Sequence, residues 1–250
     1  MLRKVIKIGK AIVAFLLLPV LLLLLFQPDW LVALVADRSP EVLYFVETEA
    51  PVIALTIDDG PDREATPKIL DLLKQHDAHA TFFLISSRIK GNEAIVRRAV
   101  AEDHEIANHM AVDRPSISLS AGEFERQLVE ADQILSTFAD MHWFRPGSGW
   151  YNTEIVDTAQ KHGYQIALGS VYPYDSHLPL AWFAAWHILW QVRPGSIIIL
   201  HDHSGRGDRT AAVLATILPA LKRRGFQIVT LSELANPETT ATCPTTQTRC

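Results

Sequence analysis

The chain has 250 residues, 48% of them hydrophobic and 20% charged, with a formal net charge of -5. That length holds one large globular core plus an additional segment, and the acidic balance gives no footing for nucleic-acid binding. The only two cysteines, Cys243 and Cys250, lie in the last eight residues, which excludes a disulfide framework and leaves one small tail loop or two free thiols.

Arg3, Lys4, Lys7 and Lys10 precede Ala11 to Phe26, sixteen uncharged residues broken only by Pro19. A basic start before an apolar run is a membrane-targeting pattern. The run is short of the roughly twenty residues of a full span. Residues 1–36 are read as an uncleaved anchor with the basic end cytoplasmic and the rest exported, and a cleaved signal is the alternative. Residues 37–50 read as a linker with one strand at Val42 to Val46. From Pro51 to Ala235, strand-like and helix-like segments alternate. Strands are expected at 52–57, 80–85, 105–108, 142–145, 165–168, 196–200 and 226–230. Helices are expected at 66–76, 92–102, 121–138, 153–162, 182–191, 210–224 and 232–235. Ser120 with Glu123 has the form of a capping box for the third helix. Such alternation predicts an α/β fold, a mostly parallel sheet of about seven strands wrapped by helices and closed like a (β/α) barrel. The Thr- and Pro-rich tail, 236–250, has the composition of a disordered segment.

In such a barrel the functional groups sit at the carboxyl ends of strands. Here those ends carry Asp58-Asp59, Asn108-His109, Arg145, the stretch Ser170 to Asp175, and His201-Asp202-His203. Two adjacent carboxylates are costly to desolvate unless a cation neutralises them. His109 and Asp113, four apart, share a face if the segment is a helical turn, and with Asp59 they make three ligands for a divalent cation. Arg145 can hold Asp58 by a bidentate pair. His201, after Ile197 to Leu200, can serve as an acid. The Gly147–Gly149 turn can aim backbone N–H groups into the site. Taken alone, the His109–Asp113 pair reads better as a surface turn and His201 better as a histidine bonded to Asp202 or a carbonyl, while Arg145 also reads as a structural ion pair and the Gly147–Gly149 turn as a plain loop. Their convergence at one end of the strands carries the argument.

Four stretches also carry a family resemblance. Thr56-Ile-Asp-Asp-Gly-Pro61, Asp103-His-Glu-Ile-Ala-Asn-His109, Arg145-Pro-Gly-Ser-Gly-Trp-Tyr-Asn152 and Ile199-Leu-His-Asp202 resemble, in order and spacing, the motifs of the polysaccharide deacetylases (carbohydrate esterase family four, with the NodB homology domain). The resemblance covers 51–235. It implies a deformed (β/α) barrel and metal-dependent hydrolysis of an acetyl group on a sugar. It gives Asp58 as general base, Asp59 and His109 as metal ligands, Arg145 as the residue orienting Asp58, and His201 as the acid that protonates the leaving amine. It also puts the Ser148 N–H at the oxyanion, Leu200 against the acetyl methyl, and Gly149, Trp150 and Asp175 on the substrate-binding side.

The chain departs from that pattern at three places. Asp113 stands where the family has a second metal-binding histidine, so the expected metal is zinc, with a shift toward harder cations. Ser148 replaces a tyrosine. Tyr172 and Ser176 replace an aspartate and a tryptophan, while Asp175 fits the motif's second aspartate and is expected to partner Arg145. His104, His177, His187 and His203 are expected to be structural or surface residues. The expected protein is therefore an exported, membrane-anchored deacetylase of an N-acetylated envelope or extracellular glycan. A non-catalytic glycan-binding module and an O-acetyl esterase are the alternatives.

Overall fold

The structure, a computed structural model, describes residues 15, 17–19, 23 and 25–240. Most of the basic and apolar start, and the cysteine-bearing tail, lie outside the described residues. Residues 15, 17–19, 23, 25 and 26 are helical. Helix α1 follows at Asp29–Ala36. Among the described residues, no helix is long and apolar enough to cross a membrane.

Eight strands form one sheet: β1 (Val42–Leu43), β2 (Val52–Asp58), β3 (Thr81–Leu84), β4 (Glu105–Asn108), β5 (Trp143–Phe144), β6 (Gln165–Ala167), β7 (Ile197–His201) and β8 (Gln227–Val229). All pairings between them are parallel, in the order β1-β6-β5-β4-β3-β2-β7, with β8 also on β2. Bridges Val171 to Ile198 and Phe45 to Ser196 bring the two ends of this order together. The sheet is therefore an incompletely closed barrel. The strand beyond the seven expected for the barrel is β1, the strand expected at 42–46 within the linker, which is shorter than expected and joins the sheet beside β6. Its Val42 and the neighbouring Tyr44 are buried.

Helices α2 (Ala65–Gln75), α3 (Glu93–Ala101), α4 (Ala121–Leu135), α5 (Thr153–Lys161), α6 (Ala181–Gln191) and α7 (Gly205–Arg223) follow β2 to β7 in turn. The short α8 (Leu231–Ala235) and α9 (Pro237–Thr240) end the described chain. Period-two alternation sorts the strand side chains. On β2, Ile53, Leu55 and Ile57 pack outward against Leu70, Leu214 and their neighbours. Val52 and Ala54 point inward, where Leu231 and Leu234 of α8 complete a small inner core. Thr56 and Asp58 continue that inward face toward the carboxyl end, which is how a fully buried strand delivers a carboxylate to the barrel mouth.

Local chemistry differs from expectation at two caps. Ser120 makes no side-chain cap to α4, and the Glu123 carboxylate that would complete the box is held by Arg126 and Gln127 instead. A complete capping box occurs instead at Thr230 and Glu233, on α8.

Candidate active site

The register sets Asp58 level with His201, and Asn108 level with Phe144, at one end of the sheet. Asp59 follows Asp58 with φ of 73°, a left-handed conformation. That twist cancels the alternation that would send neighbouring side chains to opposite faces, so both carboxylates reach one cleft. Gly60 comes next, and a Cβ there would lie 2.9 Å from Asp202 Oδ1. The turn after β2 is thus tight because Asp202 sits directly beneath it.

Arg145 is the most heavily bonded side chain of the site. Its Nη1 donates to Asp58 Oδ1 at 2.5 Å and to Thr56 Oγ1 at 2.8 Å, Nε donates to the Ala167 carbonyl, and Nη2 to the Leu168 carbonyl. The guanidinium also stacks on Phe83, 4.0 Å from the ring centroid. Burial lowers its pKa, and the Asp58 charge opposes that shift. The Asp58–Arg145 pair is present and fully buried, but through the single Nη1–Oδ1 contact and not the expected bidentate one, the other nitrogens of the fork being turned to Thr56 and to two backbone carbonyls.

Across the cleft stands His201. Its Nδ1 lies 3.0 Å from Asp175 Oδ1, and its backbone N–H donates to Asp175 Oδ2 at 2.9 Å. Burial pushes the imidazole pKa down, but the charge and hydrogen bond of Asp175, with Asp58 and Asp59 behind, raise it to about 9. Asp175, expected beside Arg145 on the substrate side, is fully buried and is instead the partner of His201. The loop before α6 carries Asp175 under the imidazole, while carbonyls of Ala167 and Leu168 take the remaining Arg145 donors.

Asp59 Oδ1 lies 3.5 Å from His109 Nε2. His109 Nδ1 is 2.7 Å from the Arg145 carbonyl, which leaves Nε2 directed at Asp59. Burial opposes both charges here. Hydrogen bonding and charge between the two outweigh it, so His109 rises and Asp59, helped by His201 and Arg206, falls well below the usual carboxylate range.

Asp113 does not join them. Met110 has φ of 77° and the segment after it is a series of bends, so the four-residue spacing does not act as a helical turn. The Asp113 side chain is half exposed and accepts from Arg88 Nη2 at 2.9 Å. Arg206 Nη1 meanwhile donates to Asp59 Oδ2 at 2.6 Å, and Arg88 also donates to the Asp59 carbonyl. The donor set thus fits a divalent cation at two points, with a backbone carbonyl orienting the imidazole as at metal sites. The third expected ligand is tied to an arginine. Among the described residues, no group of three or more His, Cys, Asp or Glu is arranged to hold a metal ion.

These groups line a cleft of about 620 Å³. Ser148, Gly149 and Trp150 form part of its wall, with Ser148 at φ of 64° and Trp150 68% exposed. Leu200 does not line it. Alternation on β7 turns Ile199 and His201 inward and sends Leu200, 0% exposed, outward among Leu55, Leu214 and the helices. Ile199 and Leu168 are the apolar groups facing the cleft. His177, one of the histidines expected to be structural or on the surface, is exposed and stands at the rim of the cleft, with Nδ1 2.9 Å from the Tyr172 hydroxyl. Arg88 and Arg206 were not anticipated. Arg88 follows β3, whose carboxyl end was left out of the strand-end reading, and Arg206 lies in the first turn of α7, beyond the His201 motif.

The polysaccharide deacetylase family model matches residues 45–167. A peptidoglycan-N-acetylglucosamine deacetylase of Bacillus cereus is 36% identical over 196 residues, 77% of this chain and 92% of that protein. A chitooligosaccharide deacetylase of Sinorhizobium fredii is 34% identical over 199 residues, 74% of this chain and 93% of that protein. The chain belongs to the polysaccharide deacetylase family. Among solved structures of this family, the peptidoglycan N-acetylglucosamine deacetylase Bc1960, in complex with an N-hydroxybenzamide, superimposes with a TM-score of 0.74 at 30% identity, covering 80% of this chain and 94% of that one. A pseudoenzyme from Bacillus anthracis superimposes with a TM-score of 0.72 at 27% identity, covering 80% of this chain and 70% of that one. Relatives of this deacetylase thus include named enzymes and a protein described as having lost the activity.

Proposed function

We propose that this deacetylase hydrolyses the N-acetyl group of amino-sugar units in an envelope or extracellular glycan. The observation that carries the reading is the facing of two buried pairs across the cleft: Asp58 held by Arg145, and His201 held by Asp175. Asp58, kept beside a guanidinium, is oriented to take a proton from an attacking water at its carboxylate oxygen. His201, with Nδ1 fixed on Asp175, presents Nε2 as the donor to the departing nitrogen. Ser148 and its neighbours in the Gly147–Gly149 turn supply the wall where the oxyanion develops. Ile199 and Leu168 give the acetyl methyl an apolar contact in place of Leu200.

Asp59 and His109 are the residues that would hold a divalent cation, zinc first, with Asp113 as a third ligand only after it leaves Arg88. When bound, such a cation supplies a Lewis acid for the acetyl carbonyl. The N-terminal segment, with its basic start, is proposed as a membrane anchor that leaves the catalytic domain on the exported side.

The test is acetate release by the purified full chain from N-acetylglucosamine oligomers and from peptidoglycan, with and without added zinc. Release that disappears in Asp58→Asn supports the reading. A second reading is favoured by the two arginines on Asp59 and Asp113: a glycan-binding module on a barrel that no longer hydrolyses. Glycan binding with no acetate release across several divalent metals would establish that reading and overturn the first.

A further inference from the structure

Helix α6 has the sequence Ala-Trp-Phe-Ala-Ala-Trp-His-Ile-Leu-Trp-Gln, with no Asp, Glu, Lys or Arg. Its inner side is ordinary: Ala184, Ala185 and Ile188 are buried against the outer core. Its outer side is not. A helix covering a core presents charged and polar groups to solvent. Here Trp182, Trp186 and Trp190, spaced four apart and so on one face, stand 68%, 43% and 48% exposed. Trp186 and Trp190 stack at 6.1 Å with planes 11° apart, which fixes them as a rigid aromatic surface. Leu178 and Leu180 extend it at 38% and 42% exposure. On the other flank, Trp30 (59% exposed) and Trp190 line the same small cleft. A continuous patch of this kind on a chain's surface marks an interaction site.

The occupant follows from what joins the patch. The apolar run Ala11 to Phe26 ends on α6: the Phe26 ring packs on Trp190 at 5.2 Å and on Trp186 at 6.4 Å. Gln191 Nε2 donates to the Phe26 carbonyl and to the Gln27 carbonyl, and His187 Nε2 lies 2.8 Å from the Leu25 carbonyl. Upstream, Phe15, Leu17 and Leu18 stand 76%, 60% and 54% exposed on helical backbone. Largely exposed hydrocarbon side chains thus stand upstream of the tryptophans on the same chain. The sequence begins with four basic residues suited to anionic lipid headgroups. Tryptophan, apolar in body and with one N–H to satisfy, is the side chain that settles at the boundary between lipid and water.

We propose that the tryptophan face of α6, continued by Leu178, Leu180 and Trp30, is a docking surface for a lipid bilayer and lies at the headgroup level beside the N-terminal apolar segment. The face also meets the cleft. Gln27 Nε2 donates to the Tyr172 carbonyl at 3.0 Å and to the Tyr174 hydroxyl at 2.8 Å. Tyr172 in turn lines the cleft, and its ring is 6.1 Å from that of His201.

The experiment reconstitutes the full chain into phosphatidylglycerol and phosphatidylethanolamine vesicles whose acyl chains carry bromine either near the headgroup or deep in the tail. Tryptophan emission is the readout. The expected result is stronger quenching by the shallow bromines, and loss of most of that quenched emission when Trp182, Trp186 and Trp190 are all changed to Phe. The Phe variant keeps the apolar volume, so an unchanged thermal transition shows that the loss reports position and not unfolding. Quenching that is the same in the Phe variant, or absent in the native chain, overturns the proposal. So does cross-linking of two copies through these positions with the tryptophans unquenched, which would assign the face to a second copy of the chain.

Discussion

Arg145 holds Asp58 through one of its four side-chain hydrogen bonds, and its loss has a stability consequence as well as a catalytic one. Arg145→Ala leaves the buried Asp58 carboxylate without its countercharge, at a cost of about 3–5 kcal/mol. A fall in Tm is the expected measurement, along with lost acetate release. Arg145→Lys cannot reproduce the fork and should lose activity while recovering part of the stability.

His201 gives a prediction in pH. Its pKa in the folded protein, about 9, lies above the ordinary imidazole value of 6.5, so its contribution to stability is fully present below about 6.5 and is lost as pH rises through about 9. The alkaline limb of kcat/KM should fall over that same upper range, because the donor at Nε2 is then deprotonated. Asp175→Asn should move that limb toward the ordinary imidazole value; a limb that stays put would mean Asp175 does not set it. Arg88 and Arg206 yield a different measurement. Arg206→Ala frees Asp59 Oδ2 and Arg88→Ala frees Asp113, so the double variant should bind zinc severalfold more tightly by isothermal titration. Affinity that is unchanged or weaker would show that the guanidiniums do not compete with a cation.

At the level of elements, β7 makes a test of alternation. Leu200→Ala should cost about 2–5 kcal/mol of stability, as buried Leu-to-Ala changes do, and leave KM for the oligosaccharide unchanged. Ile199→Ala, one residue earlier, should raise KM with a smaller stability cost, since Ile199 faces the cleft. Sequence reading placed Leu200 in the pocket because the motif was read as a unit, whereas period-two alternation on a strand flanked by helices separates it from both neighbours. The strands themselves were legible. β2, β4 and β7 are short runs with polar ends, and the five residues gathered by the carboxyl-end rule, Asp58, Asp59, His109, Arg145 and His201, line one cleft. What was not legible lies in connections. Asp113 was read with helical spacing, and the left-handed Met110 removes that spacing. Asp175 was assigned to the wrong buried partner, because nothing in a loop's sequence says which of two strand ends it folds under. Arg88 and Arg206 reach the site as long side chains from a short 3₁₀ turn and from a helix start, positions without a motif of their own.

On the scale of the whole molecule, the barrel is closed by small pieces: β1, two isolated bridges and the cap of α8. The described chain therefore has no free-standing linker between α1 and the barrel, since β1 lies only a few residues beyond α1 and already pairs with β6. This has a consequence for reach once the tryptophan face rests on a bilayer. A catalytic domain on a long flexible tether sweeps a volume whose radius grows with the tether. Here Gln27 ties the approach segment to Tyr172 on the cleft wall and to Tyr174, so the stand-off of the catalytic groups from a lipid surface would be a fixed height and not a distribution. On a bilayer, as proposed above, such a mount would confine the chemistry to a thin shell of glycan next to the membrane and would leave polymer farther out untouched.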